Sequence, residues 1–303
     1  MSRSHAPLHG LRILSLALNL PGPAALMRCR RMGATCTKLE PPSGDPMGHY
    51  NAPAYAELHE GVKVLQGDLK GAEGQELVHR ELARTDVLLT SFRPSALQKL
   101  GLGWKELHGR YPSLSQVAIV GAPGARAEEP GHDLTYLADN GLVPGMELPA
   151  TLYADMSGSL MASEAVLQAA LRKQERYAGG GDPHPEGLYL EVALSDAAAY
   201  LAMPRRWGLT QPTGSVGGAH AGYRVYPCKD GRVAVAALEP HFAARLCEAA
   251  GVQGSDIKAM FRRETHAAVA AFFAGQTRAE LDFLALEKDL PIHTMGTQDP
   301  AGF

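Results

Sequence analysis

The sequence predicts an α/β protein in which a parallel sheet is followed by a smaller α+β domain. Strand-like apolar runs alternate with helical patterns over roughly the first 200 residues, which is typical of strand–helix–strand units with right-handed crossovers. A stretch rich in proline and glycine follows at 203–222, and a hairpin pattern begins after it. We therefore predict a large domain at 1–202, a linker at 203–222 and a small α+β domain at 223–303.

The large domain is predicted to contain five strands. The first is a short apolar run that indicates a buried strand, and the alternation of all five with helical segments indicates a parallel sheet. The strands are 11–16, 35–40, 86–90, 114–120 and 188–194.

Helical periodicity fills most of the segments between these strands. Pro21-Gly22-Pro23 interrupts the chain before the first helix, and Gly33 fits its C-terminal stop. The segment 41–46 contains three prolines and a glycine and is predicted to be a loop. The predicted helices are 24–32, 74–82, 95–100, 104–111, 133–139 and 158–174, and one more begins at Ser195-Asp196.

The small domain is predicted from a hairpin and the helices after it. Two strand-like runs, 223–227 and 233–238, flank an Asp230-Gly231 turn. The predicted helices are 240–250, 255–261, 264–274 and 277–287.

Composition narrows the class of protein. The formal net charge is -3 and no basic stripe occurs, so we expect no nucleic-acid partner. The sequence has no apolar run of about 18 residues and no signal-peptide core, so we expect a cytoplasmic protein that does not enter a membrane. Its four cysteines form no C-x-x-C pair, so we expect a reducing compartment and no metal site.

Two residues point to acid–base chemistry. His132 and Asp155 each lie near the predicted start of a helix. An imidazole and a carboxyl group on separate elements can flank a substrate, and helix N-termini stabilise developing negative charge. The pair therefore suggests proton transfer at a carbon next to a carbonyl group. Asp155 also fits a plain helix N-cap, and His132 a loop histidine bonded to backbone.

A series of short segments, in order, resembles CoA-transferase family III, the CaiB/BaiF family. These segments are 8–14, 21–23, 32–34, 38–42, 93–94, 100–102 and 194–198. Within that family, Gly131-His132-Asp133-Leu134-Thr135-Tyr136 resembles the α-methylacyl-CoA racemase branch.

The resemblance implies a Rossmann-like large domain, a small domain and an interlocked homodimer. It implies an acyl-CoA thioester as substrate, with coenzyme A as part of that substrate and no other cofactor. His132 and Asp155 would exchange the proton on C2 of a 2-methylacyl-CoA. Asp133 would cap the helix or orient a catalytic group, and Glu239 would orient the histidine of the partner chain.

Contacts with coenzyme A are expected at five further positions. Lys38 and Arg93 are predicted to bind its phosphates, because cationic side chains at strand ends reach the crevice of an open sheet. Pro21 and Gly22 would let the backbone pass close to the nucleotide. Tyr136 would reach the acyl end.

Two alternatives remain open at the level of sequence. In a family III CoA-transferase, Asp155 would be the nucleophile and would form a mixed anhydride and then an aspartyl-CoA thioester. In a shortened, non-catalytic homologue, coenzyme A would bind without turnover. The second alternative arises because the chain is shorter than typical members and its C-terminal return segment is expected to be shortened.

Overall fold

The first part of the chain contains one sheet of six parallel strands. The structure is a computed structural model that describes residues 6–174, 186–252 and 258–297, and it divides into two units, Met1–Ala202 and Met203–Phe303. The strands are β1 (Arg12–Ser15), β2 (Thr35–Glu40), β3 (Lys63–Gln66), β4 (Val87–Thr90), β5 (Ser115–Val120) and β6 (Tyr189–Ala193). Their order is β3-β2-β1-β4-β5-β6, and each neighbouring pair is parallel. The predicted α/β fold is confirmed, with β3 as an additional edge strand.

Nine helices follow or connect these strands within the described part of the first unit. They are α1 (Pro21–Arg31), α2 (Pro46–Tyr50), α3 (Ala52–Leu58), α4 (Ala72–Leu82), α5 (Pro94–Lys99), α6 (Trp104–Arg110), α7 (Asp133–Asp139), α8 (Tyr153–Gln174) and α9 (Leu194–Leu201). Three differences from prediction affect the site. Pro21-Gly22-Pro23 forms the first turn of α1 instead of a break before it, the loop predicted at 41–46 leads into α2, and α8 begins at Tyr153 instead of 158.

The sheet is covered on both faces, as its apolar strands require. On one face, Val117 and Ile119 pack in the same cluster as Ala162 and Val166 of α8. On the other, Leu88 packs with buried residues of α4, α5 and α6. Each fully buried leucine or isoleucine stabilises the fold by about 1.5–3 kcal/mol. The carboxyl ends of the strands are thereby held rigidly at one edge of the sheet.

The second unit is built on a three-stranded antiparallel sheet in the order β7-β8-β9. Its elements are α10 (Met203–Arg206), β7 (Tyr223–Cys228), β8 (Gly231–Ala236), α11 (Pro240–Ala249), α12 (Arg263–Ala274), α13 (Arg278–Glu287) and β9 (Ile292–Met295). The predicted hairpin is present, β9 was not predicted, and the predicted linker 203–222 contains α10. Part of the helix predicted at 255–261 lies outside the described residues. No helix in the described ranges is both long enough and apolar enough to cross a bilayer.

Candidate active site

A cavity of about 710 Å³ opens at the carboxyl ends of the strands of the first unit. Its walls come from residues 18–21 after β1, residues 91–93 after β4, the end of β5, and the N-terminal ends of α7 and α8. The strand order changes direction between β1 and β4, and open α/β sheets bind ligands at such a switch point. His132, Asp133, Tyr136 and Asp155 all line this cavity.

His132 is the residue immediately before α7 and is exposed. Its extended backbone (φ -143°, ψ 169°) is that of an N-cap. The Thr135 hydroxyl accepts from the His132 backbone N–H (3.0 Å) and donates to the His132 carbonyl (2.8 Å). Backbone contacts thus hold the histidine at the cavity.

Asp133 and Asp155 are joined by a hydrogen bond between α7 and α8. The Asp155 backbone N–H donates to Oδ1 of Asp133 (2.9 Å), and Asp133 is buried. Because α8 begins at Tyr153, Asp155 is its third residue, so the interpretation of Asp155 as an N-cap is wrong. Asp133 supplies the acceptor that a cap would give to this N–H, which leaves the Asp155 carboxyl group facing the cavity.

The carboxyl group of Asp155 binds its proton more tightly than an ordinary aspartate does, because its pKa is raised. Burial first, and then the nearby Asp133 carboxylate, raise the pKa of Asp155 to about 6, while His132 opposes this shift. A helix N-terminus normally lowers the pKa of a carboxyl group. Here desolvation and the like charge outweigh the dipole. Such a group can accept and return a proton near neutral pH.

We expect Asp133→Asn to lower the pKa of Asp155. The amide oxygen can still accept from the Asp155 backbone N–H, but the negative charge that raises this pKa is removed. The acidic limb of a pH–rate profile should move to lower pH, and a carboxyl-carbon NMR titration should show the same displacement. Asp139→Asn, at the exposed C-terminal end of α7, is the matched control and should leave both unchanged. An unmoved Asp155 titration in Asp133→Asn would contradict this electrostatic coupling.

Tyr136 is wedged between two glycines at the cavity. A Cβ atom added to Gly121 would lie 2.3 Å from the Tyr136 hydroxyl oxygen, and one added to Gly131 would lie 2.6 Å from it. Burial and the Asp155 carboxylate raise the pKa of Tyr136, so its hydroxyl keeps its proton. Within the described residues this hydroxyl has no hydrogen-bond partner, so it can donate to a ligand.

Besides Tyr136, three of the residues predicted to contact coenzyme A lie on the elements around the cavity. Arg93 is exposed, lines the cavity and immediately precedes α5. No side-chain hydrogen bond or ion pair of Arg93 occurs in the described ranges, so its guanidinium group is available to an anion. Pro21 also lines the cavity. Gly22 is buried, and its close neighbour is Ala17, whose Cβ would lie 2.1 Å from an added Cβ; packing therefore accounts for this glycine.

The phosphate contact predicted for Lys38 is wrong in this structure. Its side chain is 0% exposed, and its ammonium group pairs with Asp45 and with Glu40 (3.1 Å). The third donor of the ammonium group reaches Nε2 of His59 (2.8 Å). The Tyr55 hydroxyl also donates to Glu40 (2.9 Å). The ammonium group is fully buried among these three partners, so it is not accessible to a phosphate.

The residues around Lys38 include a group of side chains, found within the described residues, of the types that can bind a metal ion. Oxygen or nitrogen atoms of Glu40, Asp45 and His59 lie within 4.8 Å of one another. The Lys38 ammonium group contacts all three. The Lys38 ammonium group therefore supplies the positive charge at the centre of Glu40, Asp45 and His59.

Glu239 belongs to the second unit. It is exposed, immediately precedes α11 and makes no side-chain capping hydrogen bond. Its role toward a histidine of a partner chain stays a prediction.

One wall of the cavity was missed from the sequence. It contains Asn19 together with Met47 and Tyr50 of α2 and Ala54 of α3. Two signals could have found these helices: Asp45 precedes Pro46, and Asn51 lies two residues before Pro53. An Asp or Asn cap with proline in the first turn is a helix-start signature, and both caps are present in the structure.

Comparison with known proteins agrees with the resemblance. A family model described as CoA-transferase family III matches residues 8–300. Succinyl-CoA–D-citramalate CoA-transferase of Chloroflexus aurantiacus is 29% identical over 303 aligned residues, covering 93% of this chain and 72% of that protein. Alpha-methylacyl-CoA racemase of Mus musculus is 28% identical over 295 residues, covering 90% and 73%.

Solved structures share the fold. The crystal structure of a hypothetical protein from Mycobacterium tuberculosis has a TM-score of 0.79 and 23% identity, over 95% of this chain and 84% of that one. A CaiB/BaiF family protein from Brucella suis has a TM-score of 0.77 and 21% identity, over 99% and 85%.

Proposed function

Because this chain belongs to CoA-transferase family III, whose members act on acyl-CoA thioesters, we propose that it is a racemase of 2-methylacyl-CoA thioesters. The observation that carries this proposal is that His132 and Asp155, from the starts of two helices, line one cavity. Racemisation needs one proton-transfer group on each face of a planar intermediate, and two separate elements can supply them.

In the proposed reaction, one of the two residues removes the proton from C2 of the thioester. The electron pair of the broken C–H bond forms a C1–C2 double bond, and the carbonyl electrons move to the thioester oxygen. The other residue then donates a proton to the opposite face and the carbonyl group reforms, so that nothing is oxidised or reduced. A positioned acid or base contributes about 10²–10⁴-fold to such a step.

The Tyr136 hydroxyl supports this chemistry as the donor to the enolate oxygen. It is protonated, lines the cavity and is near enough to Asp155 for the carboxylate to raise its pKa. A donor aimed at a developing oxyanion is worth about 3 kcal/mol. Arg93 supports binding of a coenzyme A phosphate, since this exposed cationic residue lines the same cavity.

A family III CoA-transferase is the second candidate, and the same Asp155 favours it. A carboxylate that faces a cavity can attack a thioester carbonyl, and its pKa of about 6 leaves it ionised above that pH. This role needs no imidazole on the opposite face, so His132 is the residue that separates the two candidates.

Solvent deuterium incorporation tests the choice. The chain is incubated in D₂O with one enantiomer of a 2-methylacyl-CoA, and deuterium at C2 is measured by mass spectrometry. The racemase proposal predicts exchange with a single thioester and its loss in His132→Ala. A requirement for a second carboxylic acid, with trapping of an acyl-enzyme by hydroxylamine and an active His132→Ala variant, would replace it with the transferase.

We also propose that the chain forms a homodimer. Met156, Leu160 and Leu171 lie on one face of α8, and each is more than two-fifths exposed. An apolar stripe of this kind on a long helix is typical of a protein interface. The molar mass of the purified chain in solution, measured by light scattering, tests this, and a monomer would contradict it.

A further inference from the structure

We propose that the buried Lys38–Asp45 ion pair is a positioning device for the acyl-CoA cavity, an inference that rests on the proposed function. The pair fixes the backbone at Asn19 and the first turn of α2, and these two segments form the wall of the cavity that includes Met47 and Tyr50.

Asp45 connects the ion pair to both segments. Its two carboxylate oxygens accept from the backbone N–H of Asn19, at 3.1 Å each. Oδ1 also accepts from the backbone N–H of Met47 (2.9 Å), which caps α2. Oδ2, which accepts from Asn19, also pairs with the Lys38 ammonium group. A single buried carboxylate thus joins β2, the segment after β1 and α2.

The rest of the cluster keeps Lys38 and Asp45 in place. Glu40 forms an ion pair with Lys38 and accepts from the Asp45 backbone N–H (3.2 Å). His59 bonds to Lys38 through Nε2 and to the Tyr55 carbonyl through Nδ1 (2.7 Å). These paired donors and acceptors hold the side chains of the cluster in one arrangement. The cavity wall that is bonded to the cluster is thereby held in one position.

The backbone of Asn19 has a conformation that such a contact would stabilise. Asn19 has φ +65°, a left-handed conformation that side-chain-bearing residues rarely adopt, and it is exposed at the cavity. Asparagine tolerates this region better than most residues, glycine adopts it freely and β-branched residues resist it. Asp45 accepts from the N–H of this same residue, so it helps to hold the conformation.

Binding of 2-methylbutanoyl-CoA, measured by calorimetry, tests the proposal with paired variants. Asn19→Gly and Asn19→Val both delete the side-chain amide, but only valine resists the positive φ. We expect Asn19→Val to raise Kd about tenfold more than Asn19→Gly does. Asp45→Asn should also raise Kd about tenfold, because the amide N–H₂ would oppose a donor in either orientation: the Met47 N–H if it takes the place of Oδ1, or the Lys38 ammonium group if it takes the place of Oδ2. The Asn19 pair keeps the proposal testable if Asp45→Asn fails to fold.

Asp86→Asn is the matched control for loss of an ion-paired carboxylate. Asp86 pairs with Arg12 and Lys173 and lies immediately before β4, at the end of the strand opposite to the cavity. The Kd of the Asp86→Asn variant for 2-methylbutanoyl-CoA should equal that of the wild type. Equal effects of valine and glycine at residue 19, or an unchanged Kd in folded Asp45→Asn, would overturn the positioning role while the proposed function stands. If the wild-type chain binds no acyl-CoA, the proposed function falls and the positioning role falls with it.

Discussion

Asp155→Asn is expected to reduce turnover by about 10³-fold while acyl-CoA binding is retained. The amide has the shape of the carboxyl group but can neither accept the C2 proton nor attack a thioester. The backbone N–H of residue 155 would still donate to Asp133, so the start of α8 should keep its position. Racemase turnover is measured by deuterium exchange at C2, transferase turnover by transfer of coenzyme A to a second carboxylic acid, and binding by calorimetry. Near-normal turnover in either assay would exclude the role proposed for Asp155 in that reaction.

The same substitution should make the protein more stable at neutral pH. Since the pKa of Asp155 is about 6 in the folded chain against an ordinary 3.8, the folded state binds this proton more tightly than the unfolded state. The contribution of Asp155 to stability therefore declines as pH rises from about 4 to about 6 and stays low above that. We expect Asp155→Asn to raise the free energy of unfolding at pH 7.5 by on the order of 1–2 kcal/mol, allowing for solvent screening. Near pH 3.5 the gain should vanish, which provides the internal control.

Lys38→Met is expected to lower the free energy of unfolding by about 3–5 kcal/mol, the usual cost of removing one member of a buried ion pair. Methionine nearly fills the volume, but Glu40 and Asp45, at most 3% exposed, would face each other without a cation. Urea denaturation at pH 7.5 measures the change.

Lys173→Met provides the comparison for Lys38→Met. Lys173 pairs with Asp86 at 2.8 Å, is 28% exposed and leaves Asp86 with Arg12 as a partner, so we expect a loss below about 1 kcal/mol. Adding Asp45→Asn to Lys38→Met should cost less than the sum of the single changes, because it removes one of the two opposed charges. A loss of under about 1 kcal/mol in Lys38→Met itself would show that the cluster does not depend on the ammonium group.

The sequence pattern predicted correctly those helices and strands whose ends are marked by residues next to them in the chain. The bounds of β2 and α7 are those predicted, because Thr35–Glu40 is a bounded β-prone run and His132 precedes a regular helical pattern. β3 was missed because it is an edge strand with polar Lys63 and Gln66 at its ends, which hides the apolar signal. The prolines of 41–46 indicated a loop, although Pro46 occupies the position in a helix where proline is tolerated.

The sequence indicated residues of the cavity that lie at or near a helix start, and it did not reveal contacts between residues far apart in the chain. His132, Asp155 and Tyr136 line the cavity as their placement suggested. Nothing local to Lys38 indicates that His59 accepts from its ammonium group, because the contact depends on the packing of α3 against α1 and α2. The cap that Asp133 provides to α8 is likewise a contact between two helices.

The close fit of Gly121 and Gly131 around Tyr136 has a consequence for redesigning this cavity. The two glycines leave no space for a methyl group beside the phenol, so added bulk in this loop would displace the hydroxyl group. Room for longer or branched acyl chains has to come from Leu134 and Leu152, whose exposed side chains line the same cavity and make no polar contacts that trimming would remove.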